Sequence, residues 1–241
     1  MEIKVDTIAE AHTKVCQVIF EDGIEIITED GEITIEYDEP IQIIVRYPDL
    51  PNSNISKFNN FNNKALEEYK KQFLTINNNG FAYTYGNRML DYPEFYNDEE
   101  TFKEYIIGNG DGRGFNQIEW VINKLIEEPN TRRTVIVLRD PHIDCYSPNP
   151  PCLTLVQFMI RDKKLHLTAY FRSNDMLSAW CNNANGLLGL QIYVYNELIS
   201  RTNEHIELDG IGSLTTISNS AHIYFKRDAE EMKRMRLEVY K

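Results

Sequence analysis

This chain is short of several things that define common protein classes. It has no apolar run of the roughly 18 to 20 residues that a bilayer-spanning helix needs, so no membrane partner is expected. Residues 1 to 20 lack the basic-then-apolar order of a signal peptide and are amphipathic and mixed in charge, which predicts a cytoplasmic protein. Cysteine is scarce. The four residues Cys16, Cys145, Cys152 and Cys181 form no C-x-x-C pair or other metal-ligand spacing, so neither a metal site nor a disulfide framework is expected. Positive charge is in deficit, with 25 Lys and Arg against 37 Asp and Glu and a net charge of −12. That balance excludes a general nucleic-acid binder, which carries a basic footprint. Anions can then be bound only in a local pocket, and clustered arginines become informative.

What the chain does have suits a soluble globular domain: 42% hydrophobic and 26% charged residues in 241. Its length fits one domain over residues 1–241. Thr7-Ile8-Ala9-Glu10 is a capping box that opens a helix to about Phe20. Glu25 to Tyr37 alternates around Asp30-Gly31, a hairpin signal, and Ile41 to Arg46 is a further strand. Pro51 to Asn63, rich in asparagine and serine, reads as a surface loop. Ala65 to Leu74 is helical, and Gly80 to Arg88 a short strand or turn. The loop Gly108 to Gly114 precedes a helix from about Phe115 to Glu127. Strands follow at Arg133 to Leu138, Leu153 to Arg161 and Leu165 to Arg172. The apolar segment Ala184 to Ser200 reads as a buried helix. Strands near Ile206 to Leu208 and Leu214 to Ser218 lead to a charged helix from about Arg227. The mixed order predicts an α+β domain on a large mixed sheet flanked by helices.

The chemistry concentrates at Pro150-Pro151-Cys152 and, twenty residues on, Arg172-Ser173-Asn174-Asp175. Two prolines restrict the backbone before the thiol. An arginine delivered by the strand Leu165 to Phe171 could neutralise a phosphate and lower the thiol's pKa. A buried cysteine acting as a small hydrophobe, and an arginine in an ordinary ion pair, are the plainer alternatives. Arg172 beside Ser173 offers a fork of donors plus a hydroxyl, suited to a phosphate. His222 and Tyr224 share one face of an extended segment. Asp175 can either accept a pair of N–H groups, as from a guanidinium, or cap a helix.

Read with Glu128-Pro129-Asn130-Thr131-Arg132-Arg133, Asn183 and Ala221-His222-Ile223-Tyr224, these segments resemble the thymidylate synthase family, which includes the pyrimidine nucleotide hydroxymethylases. The resemblance is strongest from about Gln117 to Tyr224. It implies a thymidylate synthase-like fold and a Cys152 nucleophile that adds to C6 of a pyrimidine nucleoside monophosphate. Arg172 and Ser173 then grip the phosphate, and His222 and Tyr224 take the 3′-hydroxyl. Asn183 reads uracil by donating to O4 and accepting from N3–H, although a flipped amide matches cytosine. Tyr85 helps remove the C5 proton through water, or is a core aromatic beside a turn glycine. Asp175 orders the reduced pterin, which is 5,10-methylenetetrahydrofolate or a methanopterin-type analogue. Arg132 and Arg133 cross a homodimer interface to the partner's nucleotide, or are loop charges. Gln157 reads as structural or dimer-facing.

The chain departs from the bacterial and animal pattern at Leu153, Phe171 and Ser220, and so resembles the compact archaeal-type synthases more closely. Glu67 or Glu68 is implied as the glutamate of an early helix. Arg46, Arg88 and Arg113 are candidates for an N-terminal phosphate-binding arginine, and Glu238 to Lys241 for a closing tail. The reaction implied is reductive methylation of dUMP. The alternative, with water in place of hydride, is 5-hydroxymethylation of dUMP, dCMP or CMP. A nucleotide-binding protein without catalysis would not need the cysteine.

Overall fold

A computed structural model describes residues 1–51, 55–78, 80–92, 114–202 and 206–239. The loop from Gly108 and Arg113, and the last two residues of the tail, lie outside them. One mixed sheet of eight strands organises the chain: β1 (Glu2–Val5), β2 (Ile24–Ile27), β3 (Ile33–Tyr37), β4 (Ile41–Val45), β5 (Val135–Val137), β6 (Leu153–Arg161), β7 (Lys164–Asp175) and β8 (Gly210–Tyr224). The helices are α1 (Ile8–Asp22), α2 (Asn63–Gln72), α3 (Tyr85–Leu90), α4 (Gln117–Glu127), α5 (Pro141–Asp144), α6 (Trp180–Thr202) and α7 (Ala229–Val239).

The strand order is β1-β4-β8-β7-β6-β5, with β3 on the far end of β8 and β2 on β3. The β1–β4 and β7–β8 pairs are parallel and the others antiparallel. Alternation sets the faces. Val156, Phe158, Leu165, Leu167, Ala169, Phe171 and Leu214 are fully buried in one core with α1, α4 and α6. The opposite residues Gln157, Met159, His166, Thr168, Tyr170, Thr215 and Ile217 are only half covered. Among the described residues, no helix is long and apolar enough to cross a membrane.

Local signals explain several elements. Thr7 caps α1, its Oγ1 accepting from Glu10 N–H at 3.1 Å, while Glu10 reaches back to Asp6 N–H. The β2–β3 hairpin turns at Gly31, whose φ of 77° suits glycine. Two segments differ from the sequence reading. Gly80 to Arg88, expected as a short strand or turn, is a turn that runs into a helix, because Thr84 Oγ1 accepts from Asn87 N–H and α3 starts at Tyr85. The strand expected near Ile206 to Leu208 is not one, and the strand expected at Leu214 to Ser218 is part of the fifteen-residue β8. Its Thr, Ser and Asn positions break the apolar pattern, but pairing along both edges holds them extended.

Candidate active site

The register of β6 and β7 places Leu153 opposite Phe171 and so brings Arg172 back over the prolines. Arg172 N–H donates to Cys152 O at 2.9 Å. Its guanidinium donates to Pro150 O at 2.7 Å and Pro151 O at 3.1 Å, and Nη2 lies 3.7 Å from Cys152 Sγ. The prolines therefore supply the carbonyls that aim the arginine at the thiol. Burial pushes the thiol above its ordinary value, Arg172 pulls it down, and Asp175 adds to the rise. The depressed thiol expected from Arg172 alone is not the net result, because desolvation of a thiolate is the larger effect.

Three tyrosines, Tyr69, Tyr83 and Tyr85, lie near enough to this thiol for its charge to raise their pKa values. Phe73 packs edge-on between Tyr69 and Tyr85, at centroid distances of 5.7 and 5.6 Å, and Tyr83 lies 6.2 Å from Tyr85. A cleft of about 460 Å³ opens between Tyr69, Phe73, Phe81, Tyr83, Tyr85 and Asn149. Two glycines permit the closeness. A Cβ on Gly86 would sit 2.0 Å from Gln72 O, and one on Gly186 2.2 Å from the Phe73 ring. Burial raises Tyr85 well above its usual value, with the neighbouring Tyr69 and Cys152 adding to the rise. Tyr83 is pushed up to about 12, again chiefly by burial. These phenols keep their protons at neutral pH. Tyr85 can therefore orient a water but is not itself a phenolate base.

Asn183 lies on the first turn of α6, buried, and its Oδ1 accepts the Tyr69 hydroxyl at 2.6 Å. Its neighbours are used elsewhere: Asn182 Nδ2 donates to Asn60 Oδ1 and Ser178 O, and Asn185 Nδ2 donates to Cys181 O. Asn183 is thus tied to the tyrosine wall through Tyr69.

The parallel pairing of β7 and β8 sets Ser173 beside Ser220 and Asp175 beside His222. His222 Nδ1 is 3.3 Å from Ser220 Oγ, and its ring meets Tyr224 edge-on at 5.1 Å. Burial lowers the His222 pKa, although Asp175 and Glu36 oppose that shift, so the imidazole is neutral at neutral pH. Asp175 does cap a turn: its Oδ1 accepts from Leu177 and Ser178 N–H at 3.2 and 3.0 Å. Its Oδ2 is paired with Arg227, which lies 4.1 Å over the Tyr224 ring and also donates to Asp228 at 3.0 Å. Burial raises the Asp175 pKa, and the Ser178 N–H and Arg227 pull it back. Of roughly four lone-pair positions on this carboxylate, three are taken. It fits one further ring N–H, or a pair once Arg227 moves aside.

Other candidates stand apart. Arg132 and Arg133 are exposed beyond the start of β5, where Thr134 bonds Phe158 O. Phe158 is six positions along β6 from Cys152, about 20 Å at ~3.4 Å per residue. Arg46 pairs with Asp6 at 2.6 Å on the surface. Arg88 is buried in an ion pair with Asp144 at 2.7 Å, so its charge is already neutralised. Glu67 and Glu68 are exposed and paired with Lys70 and Lys71, both at 2.8 Å. Neither carboxylate enters the site; on that helix Leu66 is buried in the core and Tyr69 reaches Asn183. Sequence reasoning missed Tyr69, Tyr83 and Arg227. The i, i+4 spacing of Tyr69 and Phe73 was the available signal for the first. Among the described residues, no group of three His, Cys, Asp or Glu could hold a metal.

This chain is similar to known proteins. The family model described as thymidylate synthase matches residues 50–238. A protein of Methanocaldococcus jannaschii named "Putative thymidylate synthase" is 34% identical over 96% of this chain and 94% of its own length. One of the same name from Methanothermobacter marburgensis is 32% identical, over 96% of this chain and 98% of its own. A third, from Methanococcoides burtonii, is 34% identical over 92% and 88% respectively.

Proposed function

This chain belongs to the thymidylate synthase family of one-carbon transferases, and on that premise we propose that it methylates deoxyuridylate reductively at C5. The observation that carries this reading is Cys152 Sγ held 3.7 Å from the Arg172 guanidinium, near the tyrosine wall. A reduced pterin, of folate or methanopterin type, supplies the one-carbon unit and the hydride.

The thiol loses its proton and its sulfur lone pair forms a bond to C6, leaving C5 electron-rich. Arg172 favours the thiolate against the cost of burial. Its two Nη1 N–H groups, which have no partner among the described residues, suit the phosphate, and the next residue, Ser173, offers a hydroxyl. Asn183 donates to O4 and accepts from N3–H. His222 and Tyr224 hold the 3′-hydroxyl. Tyr85, protonated, orients the water that takes the C5 proton after C5 has bonded the one-carbon unit. Loss of that proton would expel the pterin by breaking its C–N bond to the one-carbon unit. Hydride from the pterin would reduce the resulting methylene to methyl, and the C6–S bond then breaks to release the thiolate. Asp175 anchors the pterin with the capacity that Arg227 leaves it.

We place Arg132 and Arg133 in the neighbouring subunit's site. Their distance from Cys152 in one chain and the half-covered sheet face support a homodimer. Thiol chemistry on a nucleotide suits a reducing cytoplasm.

The test incubates purified protein with dUMP, dCMP or CMP and either methylene pterin. Mass analysis should find methylated dUMP. A hydroxymethyl product would mean that water, not hydride, completes the reaction, and no product from any pair would overturn the assignment.

A further inference from the structure

We propose that Tyr69 is a positioning residue that sets which way the Asn183 amide faces, so that the choice of uracil over cytosine depends on this pair of side chains. This rests on Asn183 being the base reader. A primary amide is nearly symmetric in shape. Turned one way, its N–H donates to O4 and its oxygen accepts N3–H. Turned the other way, the oxygen accepts from the cytosine amino group and the N–H donates to N3. Asn183 alone therefore fits either base, and a neighbour must break the tie.

Tyr69 does so. Its hydroxyl donates to Asn183 Oδ1 at 2.6 Å, a short contact for a neutral pair. An amide oxygen is the better acceptor and a phenol the better donor, so this orientation is preferred over an amide N–H facing the phenol oxygen. The phenol also keeps its proton, because burial, Tyr83 and Cys152 all raise it further from ionisation. The oxygen has two lone pairs. Tyr69 takes one, and the second stays beside the Nδ2 N–H as a paired edge of acceptor and donor that matches uracil.

The tyrosine is itself held. Phe61 and Phe73 pack edge-on against its ring at 5.6 and 5.7 Å. Gly186 lets Phe73 of the α2 end lie against α6. Glu67 and Glu68 turn outward to lysines, so no carboxylate from this helix turn competes for the amide.

The experiment measures dissociation constants for dUMP and dCMP by calorimetry with wild type, Tyr69→Phe, Asn183→Ala and the double variant. Removing the hydroxyl should reduce the dUMP-to-dCMP preference on the order of tenfold, the scale of one oriented hydrogen bond. With Asn183 already Ala, Tyr69→Phe should change the ratio no further. A Tyr69→Phe ratio equal to wild type, or an equal loss for both nucleotides, overturns the proposal and leaves Asn183 as reader. A ratio unchanged by Asn183→Ala overturns both. Tyr69→Leu, which also lacks the hydroxyl, replaces Tyr69→Phe if that variant does not fold and must give the same collapse.

Discussion

Two arginine–aspartate pairs flank the candidate site and serve opposite purposes. Arg88 and Asp144 are 5% and 1% exposed, and Asp144 also accepts Asp140 N–H at 2.7 Å. Arg227 and Asp175 are 51% and 11% exposed, with Arg227 shared between two carboxylates and an aromatic face. The same two residue types form a fixed strut in one place and an exchangeable contact in the other. Burial makes the difference. A buried ion left alone is costly, whereas an exposed arginine can trade a carboxylate for water or for a ligand.

Breaking the buried pair should have the largest effect. Asp144→Ala is expected to lower unfolding stability by about 3–5 kcal/mol, because Arg88 would remain buried without its partner. Urea unfolding followed by circular dichroism measures this. A loss below about 1 kcal/mol would erase the contrast between the two pairs.

A buried base with no ionic partner sharpens it. His12 Nε2–H donates to Leu177 O, 2.9 Å away, and burial lowers its pKa from 6.5 to about 4. The unfolded chain therefore binds the extra proton between those values. The stability contributed is full above about pH 6.5 and is lost as the pH falls towards 4, on the order of 3 kcal/mol. His12→Gln should flatten that acid limb in a pH series of unfolding midpoints. A limb of unchanged steepness would assign it to other groups.

Removing the exposed cation should have the smallest effect on stability. Arg227→Ala is expected to cost less than about 1 kcal/mol. It should nevertheless move the acid limb of turnover to higher pH, since Arg227 holds the Asp175 pKa down against burial. If the pterin must displace Arg227, its KM should fall as well. An unmoved pH profile together with a large loss of stability would make this pair a second strut.

Short-range signals made much of the fold legible. The Asp30-Gly31 turn, the Thr7 cap and the alternation in β6 and β7 each act within a few residues. The site was legible where motif and register coincide, as at Cys152, Arg172 and Asn183. It was illegible where tertiary contact decides. Tyr69 meets Asn183 across 114 positions from a helix whose other faces are Lys and Glu. Arg227 read as the start of a charged helix, but its partner lies on β7. The thiol's net pKa direction depends on how deeply it is buried, which no spacing reveals. Glu67 and Glu68 were plausible by register only, and they stand about 200° and 100° of helix phase from Tyr69.

The central claim is that Cys152 forms the bond to the nucleotide. A deoxyuridylate carrying fluorine at C5 blocks the last proton removal, because fluorine cannot leave as a cation, so the C6–S bond should persist. Incubation with this analogue and a methylene pterin, followed by proteolysis and peptide mass analysis, is predicted to find the nucleotide attached to Cys152. An unmodified Cys152, or attachment to the exposed Cys145 instead, would contradict it.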